Sequence, residues 1–306
     1  MAQNTNKKTS IKGLRLLAVH AHPDDEASKG AATMAKYAAA GHHVQVVTCT
    51  GGERGSILNP ELQVPGLITD ITATRREEMA AAAAALGISH QWMGYEDSGL
   101  PPEDSADPLP AGSFARQDLL EVATHLIKII REFKPHVIIT YDENGGYPHP
   151  DHLMVHAISM IAWDKAGDPK FAPEAGPAWV PLKLYYTHGF VKQRLEALHQ
   201  YLLSEGKPSP YTSMLQYWEL FAGDIMGRVT TQVECAEFFP AREAALRAHA
   251  TQIDPAGPFL AVPAEVQKRL WPTEEFELAK SRVPVGLPET DLFASIVGSF
   301  GPRDIL

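Results

Sequence analysis

Two short stretches of the 306-residue chain concentrate the residue types that do chemistry: Val19-His20-Ala21-His22-Pro23-Asp24-Asp25-Glu26 and, far downstream, Tyr147-Pro148-His149-Pro150-Asp151-His152. In the first, the His22 imidazole and the carboxyl groups of Asp24, Asp25 and Glu26 crowd together. Buried without a partner, such a cluster repels itself and loses hydration at high cost. A divalent cation is the simplest partner. His22 and Asp25 are three residues apart, close to one helical turn, so a turn that becomes a helix can aim both at one point. Together with His152 they offer two imidazoles and one carboxylate. That set leaves positions open for water and substrate, as in hydrolytic zinc sites. Asp24 points elsewhere but stays close, and a carboxylate beside an activated water suits a general base. His149 is a candidate to stabilise an oxyanion or protonate a leaving amine. Asp151 is a candidate to orient His149, and the Tyr147 phenol to hydrogen-bond the oxyanion.

These residues need elements to position them. Each stretch follows an apolar run, Leu14 to Val19 and Val137 to Thr140, so each reads as a turn just beyond a buried strand. Open α/β sheets place ligands in the crevice outside such strand ends. Around these two, the pattern predicts helices over Ser28 to Ala40, Thr72 to Leu86, Ala115 to Phe133 and Asp151 to Ala162. It predicts further strands over Val44 to Thr50, Gln91 to Met93 and Lys183 to Thr187. The alternation implies an α/β, Rossmann-like, mainly parallel sheet with helices on both faces. Gly51-Gly52-Glu53-Arg54-Gly55 reads as a flexible loop at the same sheet edge, and Leu100 to Gly112 as an irregular surface loop. Beyond about residue 190 only helices over Val191 to Leu203 and Ala241 to Gln252 stand out. The expected organisation is a flexible tail over 1–10 and one hydrolase domain over 11–306, of which about 190–306 is a smaller C-terminal, substrate-covering part.

Composition narrows the classes. With 44% hydrophobic residues the chain can bury a sizeable core. A formal net charge of -10 argues against nonspecific binding to nucleic acid or to anionic membranes. The first residues lack an apolar h-region, and no apolar run approaches a membrane span. Cys49 and Cys235 are the two cysteines, one in a strand-like run and one in a distant polar segment. A disulfide framework is not indicated, and the cytoplasm is the expected compartment.

His22-Pro23-Asp24-Asp25-Glu26 with His149-Pro150-Asp151-His152 resembles the LmbE/PIG-L family of zinc-dependent N-deacetylases and amidases. Ser28-Lys29-Gly30-Ala31-Ala32, Thr50-Gly51-Gly52-Glu53-Arg54-Gly55, Ile57-Leu58-Asn59-Pro60, Leu246 to Gln252 and Trp271-Pro272-Thr273-Glu274 extend the likeness over nearly the whole chain. The resemblance implies zinc on His22, Asp25 and His152, with Asp24 as general base. It implies that His149, paired with Asp151, is the acid or electrostatic partner, and that Tyr147 is a mobile tyrosine contacting the oxyanion. Lys29, Glu53, Arg75 and Asp97 become substrate-binding candidates, with Arg75 and Asp97 at positions that hold a sugar–inositol group. Before that resemblance, Arg75 and Arg76 read as a solvated face. Lys29 marks the branch that cleaves a thiol conjugate of a sugar-inositol. The sister branch removes acetate from the N-acetylated sugar and tends to carry a small polar residue there. The implied reaction is hydrolysis of the amide between a glucosaminyl-inositol amine and an S-substituted N-acetylcysteine, in thiol-based detoxification.

Other classes compete. Sugar deacetylation uses identical metal chemistry. Two imidazoles and one carboxylate also describe non-heme iron oxygenases, and Fe2+ as well as Zn2+ suits the ligands. A non-catalytic zinc or sugar-binding module would not need Asp24, His149 and Tyr147 together. A nucleotide-binding dehydrogenase is disfavoured, because no Gly-x-Gly-x-x-Gly follows the first strand.

Overall fold

The apolar run ahead of His22 becomes the strand about which the sheet is laid out. The computed structural model describes residues 13–102, 108–221 and 225–296; the expected tail over 1–10 lies outside them. Five parallel strands follow the predicted order: β1 (Arg15–His20), β2 (His43–Thr50), β3 (Ser89–Tyr95), β4 (Val137–Thr140) and β5 (Lys183–His188). Two more, β6 (Thr231–Glu234) and β7 (Thr273–Ser281), complete a seven-stranded sheet in the order β3-β2-β1-β4-β5-β7-β6. β7 runs antiparallel to both β5 and β6.

Helices cover both faces. The first half of the chain supplies α1 (Asp25–Ser28), α2 (Ala31–Ala39), α3 (Ile71–Leu86), α4 (Leu119–Phe133) and α5 (Pro150–Lys165). The second half supplies α6 (Lys192–Ser204), α7 (Thr212–Phe221), α8 (Phe239–Ala248) and α9 (Ala264–Leu270). Alternate residues of β1 go to opposite sides, as strand geometry demands. Leu17 and Val19 pack with Leu126, Ile130, Val155 and Ile158 of α4 and α5. Leu16 and Ala18 pack with Met34, Tyr37 and Met79 of α2 and α3. Among the described residues, no helix is long and apolar enough to cross a membrane.

Several boundaries differ from the sequence pattern for local reasons. The helix expected over Ser28 to Ala40 is broken by Gly30, which sits at φ 91 and separates the single turn α1 from α2. The helix expected from Ala115 starts at Leu119, because the Asp118 carboxylate accepts from the Leu120 and Glu121 amides. The helix expected to reach Gln252 ends at Ala248, and the next residues are captured by other elements: Glu78 accepts from the Thr251 amide at 2.7 Å. β7 escaped the sequence reading because its start is acidic. Those acids are employed: Glu274 accepts from the amides of Ala32 and Thr33 at the start of α2.

Candidate metal centre and active site

The order of strands reverses at β1, which pairs with β2 on one side and β4 on the other. Both chemical stretches leave the sheet at this switch point. His22 lies two residues past β1, and Asp25 opens α1. His149 caps α5, Pro150 occupies its first position, and His152 falls in its first turn.

His22, Asp25 and His152 are all buried, and one ligand atom from each lies within 4.8 Å of the others. Their hydrogen bonds fix which atoms are free. The His152 Nδ1–H donates to the Gly145 carbonyl at 2.8 Å, so Nε2 carries the lone pair. That Nε2 is buried, has no hydrogen-bond partner and stands 3.5 Å from Asp25 Oδ2. The His22 Nε2–H donates to Asp151 Oδ2 at 3.2 Å, which leaves Nδ1, 3.7 Å from Asp25 Oδ2, as its lone-pair atom. Asp25 is held by three donors: the His22 amide at 3.0 Å, the Tyr141 hydroxyl at 2.7 Å and Lys29 Nζ at 2.5 Å. Two lone-pair imidazoles and a carboxylate, one imidazole nitrogen orphaned in the interior, are a donor set that a divalent cation satisfies. A second group, His22, Asp97, His149 and Asp151, is as close together. It shares His22 with the first group and, like it, combines committed atoms with an orphaned one, Asp151 Oδ1. The Asp97 oxygens already accept from the Arg54 and Gly99 amides at 3.0 and 2.8 Å, and Asp151 Oδ2 from the Ser98 amide at 3.0 Å.

The electrostatics agree with an excess of negative charge awaiting a cation. Burial disfavours the His22 imidazolium, but Asp151, Asp97 and Asp25 outweigh it and push His22 up to about 10, so without a metal Nδ1 carries a proton that a bound cation would displace to use its lone pair. Burial lowers His152 to about 3, so it is a neutral imidazole. Burial opposes ionisation of Asp97, yet His22 and the Gly99 and Arg54 amides hold its carboxyl well below the usual range. Asp24 is different. Burial, then the neighbouring Asp25 charge, raises it to about 6, where a carboxylate can exchange a proton near neutral pH. Burial, then His22, lowers His149 to about 4. Its Nδ1 accepts the Asp151 amide at 3.1 Å, so the neutral ring carries its hydrogen on Nε2. Burial and the Asp25 charge raise Tyr147, leaving its phenol a proton donor.

A cleft of about 370 Å3 opens over these groups, and His22, Asp24, Arg75, Asp97, Tyr147 and His149 are among its lining residues. Arg75 is 3% exposed, not part of a solvated face, and its Nη1 donates to the Gly52 carbonyl at 2.5 Å. Its Nε and Nη2 are buried with no protein partner, so donors remain for a ligand. Two expected substrate contacts lie off the cleft wall. The Lys29 ammonium is spent on Asp25 and Ser28, and Glu53 accepts from the Asp97 amide at 3.1 Å. The expected pairing of Asp151 with His149 takes another form. Only the Asp151 amide reaches His149; its carboxylate orients His22.

Three contributors escaped the sequence reading. Tyr141, one residue past β4, donates to Asp25, accepts from the Ala21 amide and stacks on His152. Arg54, in the loop expected at this sheet edge, and Gln252, past the end of α8, also line the cleft. Tyr141 alone carried a signal, an aromatic hydroxyl at the strand end nearest the metal ligands.

This fold and this cluster of side chains define the LmbE/PIG-L family, and the chain belongs to it. Residues 17–163 match the family model described as PIG-L, GlcNAc-PI de-N-acetylase. The mycothiol S-conjugate amidase of Streptomyces coelicolor is 56% identical over 92% of this chain and 97% of its own length. A 1D-myo-inositol 2-acetamido-2-deoxy-alpha-D-glucopyranoside deacetylase of Streptomyces scabiei is 39% identical over 95% of this chain and 93% of its own. In fold, the N,N'-diacetylchitobiose deacetylase of Pyrococcus horikoshii superposes with a TM-score of 0.59 at 18% identity, covering 95% of this chain and 88% of that one.

Proposed function

We propose that this protein is a metal-dependent amidase that hydrolyses mycothiol S-conjugates to a mercapturic acid and glucosaminyl-inositol, in thiol-based detoxification. The observation that carries the substrate is the 56% identity, over nearly the full length of both chains, to the Streptomyces coelicolor amidase. The deacetylase relatives match at 38–40% identity. The reaction class is supported by the site: His22, Asp25 and His152 would hold one Zn2+ per subunit, with Fe2+ an acceptable substitute for this ligand set. When bound, the cation acidifies water and polarises the amide carbonyl.

The chain's own groups do the rest. Asp24 accepts a proton from the attacking water, for which its raised proton affinity suits it. The Nε2–H of the neutral His149 ring and the Tyr147 phenol donate to the oxygen that gathers charge, and the proton taken up by Asp24 is the one that goes to the departing amine. Asp151 fixes the His22 ring through Nε2. Arg75 and Asp97 hold the hydroxyl-rich sugar–inositol end, supported by Glu53 beneath Asp97. Lys29 would influence the choice of acyl group through its contact with Asp25, since its ammonium does not reach the cleft wall. Residues 11–306 form one unit, with 190–306 its substrate-covering part; β6 and β7 in the common sheet and Gln252 in the cleft support this. The buried free thiols of Cys49 and Cys235 support a cytoplasmic setting.

The experiment is a comparison of kcat/KM for the bimane conjugate of mycothiol and for N-acetylglucosaminyl-inositol, using zinc-loaded protein. A large excess for the conjugate is expected. A preference for the acetylated sugar would transfer the protein to the biosynthetic deacetylation and leave the site assignment standing.

A further inference from the structure

Asp24 adopts φ 123, ψ -22, a conformation that a residue with a Cβ rarely holds. Such a backbone costs on the order of 1–3 kcal/mol and persists only where its surroundings enforce it. The enforcing contacts are visible. The Asp24 carbonyl accepts from the amides of Ala27 and Ser28 at 3.0 and 3.1 Å, and its own N–H donates to Glu26 Oε2 at 3.0 Å. The other oxygen of that carboxylate, Glu26 Oε1, accepts from His249 Nε2 at 2.6 Å. Glu26 and His249 are both fully buried, far from the solvated face where a helix-opening glutamate ordinarily sits. They are separated by 223 residues of chain.

His249 is itself anchored. It ends α8, and its carbonyl accepts from the amides of Gln252 and Ile253, closing a tight turn. Glu78 of α3 grips that turn through the Thr251 amide and hydroxyl, both at 2.7 Å. The same turn accepts the Leu58 amide at 2.8 Å through the Thr251 carbonyl. A rigid path therefore runs from α3 through the turn and His249 to Glu26, and ends on the peptide nitrogen of Asp24.

We infer that His249 and Glu26 are positioning residues for the general base: His249 locks Glu26, and Glu26 locks the strained Asp24 peptide so that the Asp24 carboxylate faces the cleft. The inference rests on the base role given to Asp24 above. It also gives the C-terminal part of the chain a share in the chemistry rather than in coverage alone. Neither residue donates to His22, Asp25 or His152, so removing His249 leaves metal binding in place while misaligning the base.

The test uses full-length zinc-loaded protein, with His249→Ala, His249→Gln, Glu26→Gln and Asp24→Ala, and the double variant of Asp24→Ala with His249→Ala. Zinc content, kcat and KM are read on the bimane conjugate of mycothiol. His249→Ala is expected to keep one zinc and its KM while kcat falls about 10–100-fold, the usual cost of an orienting partner. His249→Gln, whose amide N–H can reach Glu26, restores most of kcat; should His249→Ala fail to fold, this variant and Glu26→Gln carry the comparison. In the Asp24→Ala background, His249→Ala costs nothing further, because the residue it positions is gone. An equal loss in that background, loss of zinc, or a rise in KM with kcat unchanged would overturn the inference. Full activity of Asp24→Ala alone would instead overturn the base role of Asp24 on which it rests.

Discussion

The rings of His152 and Tyr141 lie stacked, 4.3 Å between centroids and 8° from parallel. The Tyr141 hydroxyl then donates to Asp25 at 2.7 Å, so one side chain braces two of the expected ligands, one with its face and one with its edge.

Removing only the hydroxyl separates these contributions. Tyr141→Phe keeps the stack, removes one of the two donors to Asp25 Oδ2 and leaves the Ala21 amide without its side-chain acceptor. The expected outcome is a folded protein whose zinc affinity, measured by chelator competition, is about 10–100-fold weaker. Unchanged affinity would show that the hydroxyl does not support the ligand.

Gly55 makes room for Arg75. A Cβ at this position would stand 2.8 Å from Arg75 Nη2 and 3.2 Å from Nη1. Gly55→Ala should therefore displace the guanidinium and raise KM about tenfold, roughly 1.4 kcal/mol of ground-state binding, with kcat nearly kept. Steady-state kinetics on the thiol conjugate decide this. A fall in kcat at constant KM would remove Arg75 from substrate binding.

Lys29 touches Asp25 and not the cleft wall. If it still selects the acyl group, Lys29→Ser shifts the kcat/KM ratio toward the acetylated sugar by about tenfold. An unchanged ratio would leave Lys29 as a partner of Asp25 alone.

Arg228 joins Glu277 of β7 to Asp142 and Glu143 of the loop that leads to Tyr147. Burial raises the Glu277 carboxyl, but His188 and Arg228 outweigh it and hold it below the ordinary 4.5. A depressed carboxylate stabilises fully above its unfolded value and loses that contribution as pH falls through the folded one. The melting temperature of Glu277→Gln should lie below that of the native protein at pH 7. The gap should close on acidification below about pH 4.5. A gap independent of pH would contradict the ion-pair account.

The two His-Pro-Asp stretches and their strands were legible because proline, apolar runs and helix caps act locally. His22, Asp25 and His152 converge as their spacing and strand-end positions imply. The partner of Asp151 was not legible, since whether its carboxylate meets His149 or His22 depends on how α5 sits against the turn after β1. Arg75 looked solvated because the Gly52–Gly55 loop that buries it is folded down by tertiary contacts. Acidic β7 hid from periodicity, since its glutamates are satisfied by amides and by side chains far away in sequence.

The most direct measurement is a zinc titration of metal-free protein, with bound metal and hydrolysis of the bimane conjugate followed together. Activity is expected to rise linearly and to saturate at one zinc per chain, and in His152→Ala both bound metal and turnover are expected to collapse. Hydrolysis that persists without metal, or a fully loaded and active His152→Ala protein, would contradict a centre built on His22, Asp25 and His152.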